Sequence, residues 1–146
     1  MLYSDSIVEY IDGVMVLPSH KGRGVASLKT IGTVRGFTPW DFFDLIKAGK
    51  LEISENNSFT GVLRQAVLDR VDGAYINVAV ANYQLKEILR QPGALVFDSG
   101  LPHTRSSYFF SSIKHPDMIQ EMNRFLKEKA SVVKELKTKY EVESGL

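Results

Sequence analysis

The stretch Ile31-Gly-Thr-Val-Arg-Gly36-Phe-Thr38-Pro-Trp-Asp41 decides the fold. Ile31 to Val34 is a short run rich in apolar and β-branched residues, which reads as a strand, and Gly36 marks the turn that ends it. Beyond the turn, Thr38, Pro39 and Asp41 fall at the N-cap, first and third positions of a predicted helix. Phe42, Leu45 and Ile46 lie on one face of that helix, and Gly49 stops it. The first N–H groups of a helix lack partners and its dipole is positive there, so this turn is suited to a carboxylate or phosphate. In an α/β sheet, ligands bind at this edge.

A second stretch, Asp69-Arg-Val-Asp72-Gly-Ala-Tyr75-Ile-Asn77, ends in the same manner. From Ala74 to Val80 the residues alternate: Ala74, Ile76, Val78 and Val80 share one face of a predicted strand, and Tyr75, Asn77 and Ala79 share the other, so that one face packs and the other is free to meet a ligand. Around these stretches, Leu51 to Ser54 and Leu95 to Phe97 read as further strands, and Val14 to Leu17 before Pro18 as a strand end. Ser58 opens a helix with an apolar stripe of Phe59, Val62, Leu63, Ala66 and Val67. Leu85, Ile88 and Leu89 belong to another helix, stopped by Gln91-Pro-Gly93. Strands alternating with helices predict an α/β domain with a mainly parallel sheet flanked by helices. Ser19 to Gly24 is a polar loop whose two glycines do not match the spacing of a P-loop. The tail holds two amphipathic helices, one with Met118, Met122, Phe125 and Leu126, the other with Val132, Val133, Leu136 and Tyr140.

The chain of 146 residues, 44% of them hydrophobic, is long enough for one ordinary core. Eighteen basic and seventeen acidic residues leave a net charge of +1, too small to drive adhesion to nucleic acid or an anionic membrane. With no cysteine there is no disulfide, thiolate metal site or thiol nucleophile. His20, His103 and His115 are scattered without metal-binding spacing, and no serine or acid signature accompanies them, so no catalytic residue, metal or cofactor is expected. Met1 to Ser6 carries neither the basic nor the apolar part of a secretion signal.

Taken together, the two stretches resemble the bacterial family 3 solute-binding proteins, extracytoplasmic receptors that deliver amino acids and related solutes to ABC importers. Tyr3-Ser4-Asp5 is similar to the family's (F/Y)-S-D-P, with Ser6 in place of proline. Ser27-Leu28-Lys29 resembles the opening of the second lobe, and Phe109-Phe110-Ser111 with the helical tail to Lys139-Tyr140 resembles the C-terminal part. The resemblance implies the periplasmic-binding-protein fold, beginning near the end of the first lobe's N-terminal portion. On that basis residues 1–24 form a crossing strand and linker from a truncated first lobe, 25–104 the second lobe, and 105–146 a return segment with two amphipathic helices. Apolar faces on Ile7–Leu17 and Met118–Tyr140, which in the family pack into the first lobe, are expected to pair with a second copy by association or domain swapping.

The resemblance also implies a site. Thr38 matches the second hydroxyl residue of the family's Gly-Thr-Thr turn, which binds the solute's carboxylate, and Phe37 departs from the first; by itself Thr38 reads equally as a helix cap. Asn77 stands where amino-acid-binding members place an aspartate for the ligand's ammonium, so the Coulomb attraction of that position is missing. Arg35, Gly36, Trp40 and Tyr75 adjoin these positions, suited to clamping a carboxylate or stacking on a planar group. The implied function is binding of a small polar solute between two lobes in the periplasm, with an ABC permease as partner. A sensor input domain and a dehydratase-type enzyme are the alternatives on the same fold, the latter with Asp41 and His103 as candidate acid and base.

Overall fold

The computed structural model describes Met1–Leu146. Its residues form two compact units, one of Ile11–Thr104 and one of Met1–Tyr10 with Arg105–Leu146. Strand β1 (Leu2–Val16) contributes its first part to the smaller unit and Ile11–Val16 to the larger.

In the larger unit, β2 (Thr30–Val34), α1 (Phe43–Lys47), β3 (Glu52–Asn56), α2 (Phe59–Val67), β4 (Gly73–Asn77), α3 (Val78–Tyr83) and β5 (Val96–Phe97) follow in chain order. The sheet order is β3-β2-β4-β1-β5. Strand β2 is parallel to both β3 and β4, because a helical crossover follows β2 and another follows β3. Strand β1 is antiparallel to β4 and to β5. The sheet is therefore mixed rather than mainly parallel: the apolar run Val14 to Leu17 marks a strand end but carries no information on the strand's direction.

Side-chain alternation gives the sheet two apolar faces. On one, Val14, Val16, Ile31 and Tyr75 pack with Phe42, Leu28, Leu51 and Leu101, and Leu45 and Ile46 of α1 lie half-buried against them. On the other, α2 buries Val62, Leu63 and Ala66. A Cβ added at Gly32 would stand 3.2 Å from Val62 Cγ1, which measures how closely α2 approaches β2.

Local signals set several boundaries. Ser58 caps α2, its hydroxyl accepting the Gly61 N–H at 3.1 Å. Helix α1 ends in a Schellman arrangement: Gly49, at φ 70°, donates to the Ile46 carbonyl, and Lys50 donates to that of Leu45. Its start differs from expectation. A 3₁₀ turn at Trp40–Phe42 precedes α1, and no side chain caps either start. Thr38 therefore is not an N-cap, and its carbonyl instead accepts the Trp40 N–H.

Strand β4 also ends earlier than the alternation of Ala74 to Val80 predicts. The Asn77 side-chain oxygen accepts the Val80 N–H at 3.1 Å, so Asn77 caps α3 and both Val78 and Val80 are helical. A π turn at Gln84–Ile88 continues α3 and buries Leu85.

Strand β6 (Thr104–Ser112) pairs with β1 and, from Arg105 on, belongs to the smaller unit. Arg105 lies on β6 with its side chain exposed, 3.3 Å from Glu9 of β1. Helices α4 (Pro116–Glu128) and α5 (Ala130–Tyr140) complete the unit, with Pro116 in the first turn of α4. Asn123 of α4 accepts the Asp5 N–H at 2.7 Å, and Glu143 accepts the Glu9 N–H at 2.8 Å. An apolar groove of about 380 Å³ remains between Ile7, Val8, Phe125, Leu136, Tyr140 and Val142. No helix is long and apolar enough to cross a membrane.

Candidate functional site

Strands β2 and β4 run in the same direction side by side, so their C-terminal ends, Val34 and Asn77, reach the same edge of the sheet. The turn after β2 continues from that edge. Gly36 takes φ 86°, a left-handed backbone that glycine adopts without a Cβ clash. The Phe37 N–H then closes the turn on the Val34 carbonyl at 2.9 Å.

The residues expected at this edge fall into two groups. Arg35, Thr38 and Trp40 are exposed, Trp40 to 71% with its ring stacked against Phe43. Arg35 lies 3.6 Å from Glu55, both side chains being well solvated, so this pair is worth at most about 1 kcal/mol and yields readily to another anion. Tyr75 is buried instead, its ring between Phe37 and Phe42 with both centroids 5.8 Å away. It offers no open face for stacking.

The Tyr75 hydroxyl donates to Asp41 Oδ2 at 2.5 Å, and the Thr104 hydroxyl donates to Asp41 Oδ1 at 2.8 Å. Asp41 is thereby fixed by two donors from distant parts of the chain. Burial, reinforced by the hydrogen bond to Asp41, pushes the Tyr75 phenol above its ordinary range, which keeps it a neutral donor. His103, the other candidate for acid–base work, places Nδ1 2.8 Å from the Leu101 carbonyl and its ring edge-on to Phe97.

Asp12 completes the edge. In the β1–β4 register it lies directly opposite Asn77, and Val14 opposite Tyr75. Opposed side chains project from the same face, so Asp12, Asn77 and Tyr75 share one side of the sheet. Asp12 Oδ1 is fully buried and has no hydrogen-bond partner, while the residue as a whole stays partly exposed. Burial and the nearby Asp41 raise its carboxyl from 3.8 to about 6. The sequence carried one sign of this residue: Asp12 precedes Val14 and Val16 at two-residue spacing, which puts a carboxyl in line with core positions. Nothing local pointed to Thr104.

Solved structures with this architecture exist at low sequence identity. A mutant of ArgBP from T. maritima superposes with a TM-score of 0.66 at 19% identity, over 95% of this chain and 61% of that one. The GluR0 ligand binding core in complex with L-glutamate gives 0.68 at 15% identity, over 94% and 62%. An amino acid ABC transporter substrate-binding protein, AbpA from Streptococcus pneumoniae bound to L-arginine, gives 0.65 at 14% identity, over 97% and 61%. The fold is that of the periplasmic binding proteins. The chain spans about three fifths of the length of these binding-protein structures. Neither a protein-family profile nor a curated protein sequence matches it.

Proposed function

We propose that the chain is the solute-binding part of an extracytoplasmic receptor, located in the periplasm and delivering a small polar, amino-acid-like or carboxylate-bearing solute to an ABC permease. The observation that carries this reading is the shared edge at which β2 and β4 end, with the exposed Arg35-to-Trp40 turn beside Asn77. Residues 25–104 act as the second lobe, 1–24 as crossing strand and linker, and 105–146 as the return segment.

At that edge the Gly36–Thr38 turn and Arg35 receive the solute's carboxylate. Arg35 exchanges its solvated Glu55 partner for the ligand. Trp40 covers the solute with its exposed ring, and Phe37 holds the wall behind it. Asn77 spends its oxygen on the α3 cap and keeps its NH₂ group for the solute. Tyr75 contributes by fixing Asp41 rather than by stacking. Closure of two lobes on the solute then supplies the state that the permease recognises.

Titration calorimetry of the chain against the standard amino acids and small dicarboxylates tests the reading. Saturable binding of at least one solute is expected, weakened about tenfold or more by Arg35→Ala or Thr38→Ala. No binding across the panel, or binding indifferent to both substitutions, overturns the assignment. The reading also includes association of two copies through the apolar groove, where Phe125, Leu136 and Tyr140 are 47%, 48% and 59% exposed. Light scattering that finds a monomer at all concentrations removes that part.

A further inference from the structure

The segment that leaves the end of β2 is dense in aromatic side chains. Phe37, Trp40, Phe42 and Phe43 stand close together in a chain that is 10% aromatic overall. They divide by environment. Phe42 is fully buried and Phe37 half-buried, and with the buried Pro39 they anchor the segment to the core. Trp40 and Phe43 are left outside, 71% and 50% exposed, their rings stacked with centroids 6.1 Å apart and planes at 29°.

These two rings keep apolar surface in water that a ligand could withdraw from it. The size of the platform limits what that ligand is. At such exposures the pair offers on the order of 250 Å², well short of the roughly 800 Å² that each side of a stable protein interface buries. A small molecule lying flat on the rings suits that area. The platform presents π faces, over which an aromatic ring, offset or edge-on, gains more than an aliphatic group of the same size.

The groups beside the platform define the other end of the ligand. Arg35 is exposed and paired only with the solvated Glu55 at 3.6 Å, and a guanidinium engages a carboxylate through two parallel hydrogen bonds. Asn77, at the end of β4, has its oxygen engaged by the Val80 N–H. The NH₂ group that remains is a donor, which meets a carboxylate oxygen and not an ammonium.

We propose that the segment from Arg35 to Phe43 sets the specificity of the site and selects an aromatic carboxylate that carries no amine, its ring on the Trp40–Phe43 platform and its carboxylate on Arg35. The proposal rests on solute binding at this edge and names the class of solute. Trp40 makes the contact, and Phe43 is a positioning residue that holds the indole in place.

Trp40 is the single tryptophan of the chain, so its fluorescence reports on the platform directly. The test titrates the full chain, by calorimetry and by fluorescence, with carboxylates of similar size that differ in the ring: benzoate with cyclohexanecarboxylate, phenylacetate with cyclohexylacetate, and 3-phenylpropionate with 3-cyclohexylpropionate. The aromatic member of at least one pair is expected to bind about three to ten times tighter than its partner and to change the Trp40 emission. Its neutral amide is expected to bind about ten times more weakly or worse. Trp40→Leu and Phe43→Leu should each reduce the preference for the aromatic ring, and Trp40→Phe should keep part of it. The comparison within pairs is made on the unmodified chain and does not depend on whether a variant folds. Equal affinities within every pair, a preference untouched by Trp40→Leu, or an amide that binds as well as its carboxylate overturns the proposal and leaves solute binding standing. The same holds if all six carboxylates fail while an amino acid or dicarboxylate binds. Failure of all of these solutes overturns both.

Discussion

Tyr75 and Asp41, joined by a hydrogen bond of 2.5 Å, tie the middle of β4 to the turn that follows β2. The bond joins a buried ring to a carboxylate that also accepts from Thr104. Removing the phenol oxygen leaves Asp41 short of one donor while the ring keeps its packing against Phe37 and Phe42. Tyr75→Phe is therefore expected to destabilise the chain by roughly 1–3 kcal/mol, read as a lower midpoint of urea unfolding with an unchanged slope. A midpoint equal to that of the unmodified chain would mean that water replaces the phenol at no cost.

The two hydroxyl residues that look alike as helix caps in the sequence are expected to behave differently. Ser58 accepts the Gly61 N–H, so Ser58→Ala costs about 1 kcal/mol. Thr38 is exposed and caps nothing; Thr38→Ala is expected to stay within about 0.5 kcal/mol of the parent. Thermal or denaturant unfolding of the two variants side by side checks the contrast. Equal losses would contradict the observed start of α1.

What was legible in the sequence was what neighbouring residues determine. Ile31 to Val34, the Ser58 cap and stripe of α2, and the Gly49 stop each follow from a few adjacent residues, and each is present in the structure. The Thr38-Pro-Trp-Asp41 pattern failed because Asp41 is claimed by Tyr75 and Thr104, partners brought by tertiary structure. The alternation from Ala74 to Val80 failed for a local reason, since Asn77 both ends a strand and caps a helix. Of the candidate site, the end of β2 was legible because Gly36 closes an apolar run there. Asp12 was not, because its place depends on the pairing of β1 with β4, a register between residues far apart in the chain.

That register imposes a steric demand at Gly73. A Cβ added there would stand well inside contact distance of Val14 Cγ1 and 3.1 Å from the Met15 carbonyl oxygen. The backbone oxygen cannot move without disturbing the β1–β4 ladder. Gly73→Ala is accordingly expected to cost at least about 1–3 kcal/mol by overpacking, whereas Gly22→Ala, with open space around it but a φ of 84°, loses about 1–2 kcal/mol through backbone strain alone. Combining Gly73→Ala with Val14→Ala opens the space that the new methyl needs. Denaturant unfolding should then show the pair losing less than the sum of the single variants; strict additivity would locate the clash elsewhere.

The Asp12 carboxyl, raised from 3.8 to about 6 by burial and by Asp41, gives the chain a pH dependence of opposite sign to that of most carboxylates. Between those two values the folded chain holds the proton more tightly than the unfolded chain does. The contribution of this group to stability is therefore fully present below about 4, declines as the pH rises through about 6, and is constant above. A tenfold change in acidity is worth about 1.4 kcal/mol, and solvent screening at this partly exposed group brings the expected decline to roughly 1–2 kcal/mol. Asp12→Asn lacks the titration, so it should be more stable than the parent at pH 7.5 by that amount and nearly equal to it at pH 4. Urea unfolding of both proteins across this range isolates Asp12 together with its repulsion from Asp41, because titrating groups that do not interact with Asp12 are common to the two and cancel in their difference. A difference that stays constant from pH 4 to 7.5 would mean that Asp12 titrates alike in the folded and unfolded chain, and that its buried oxygen is satisfied by water.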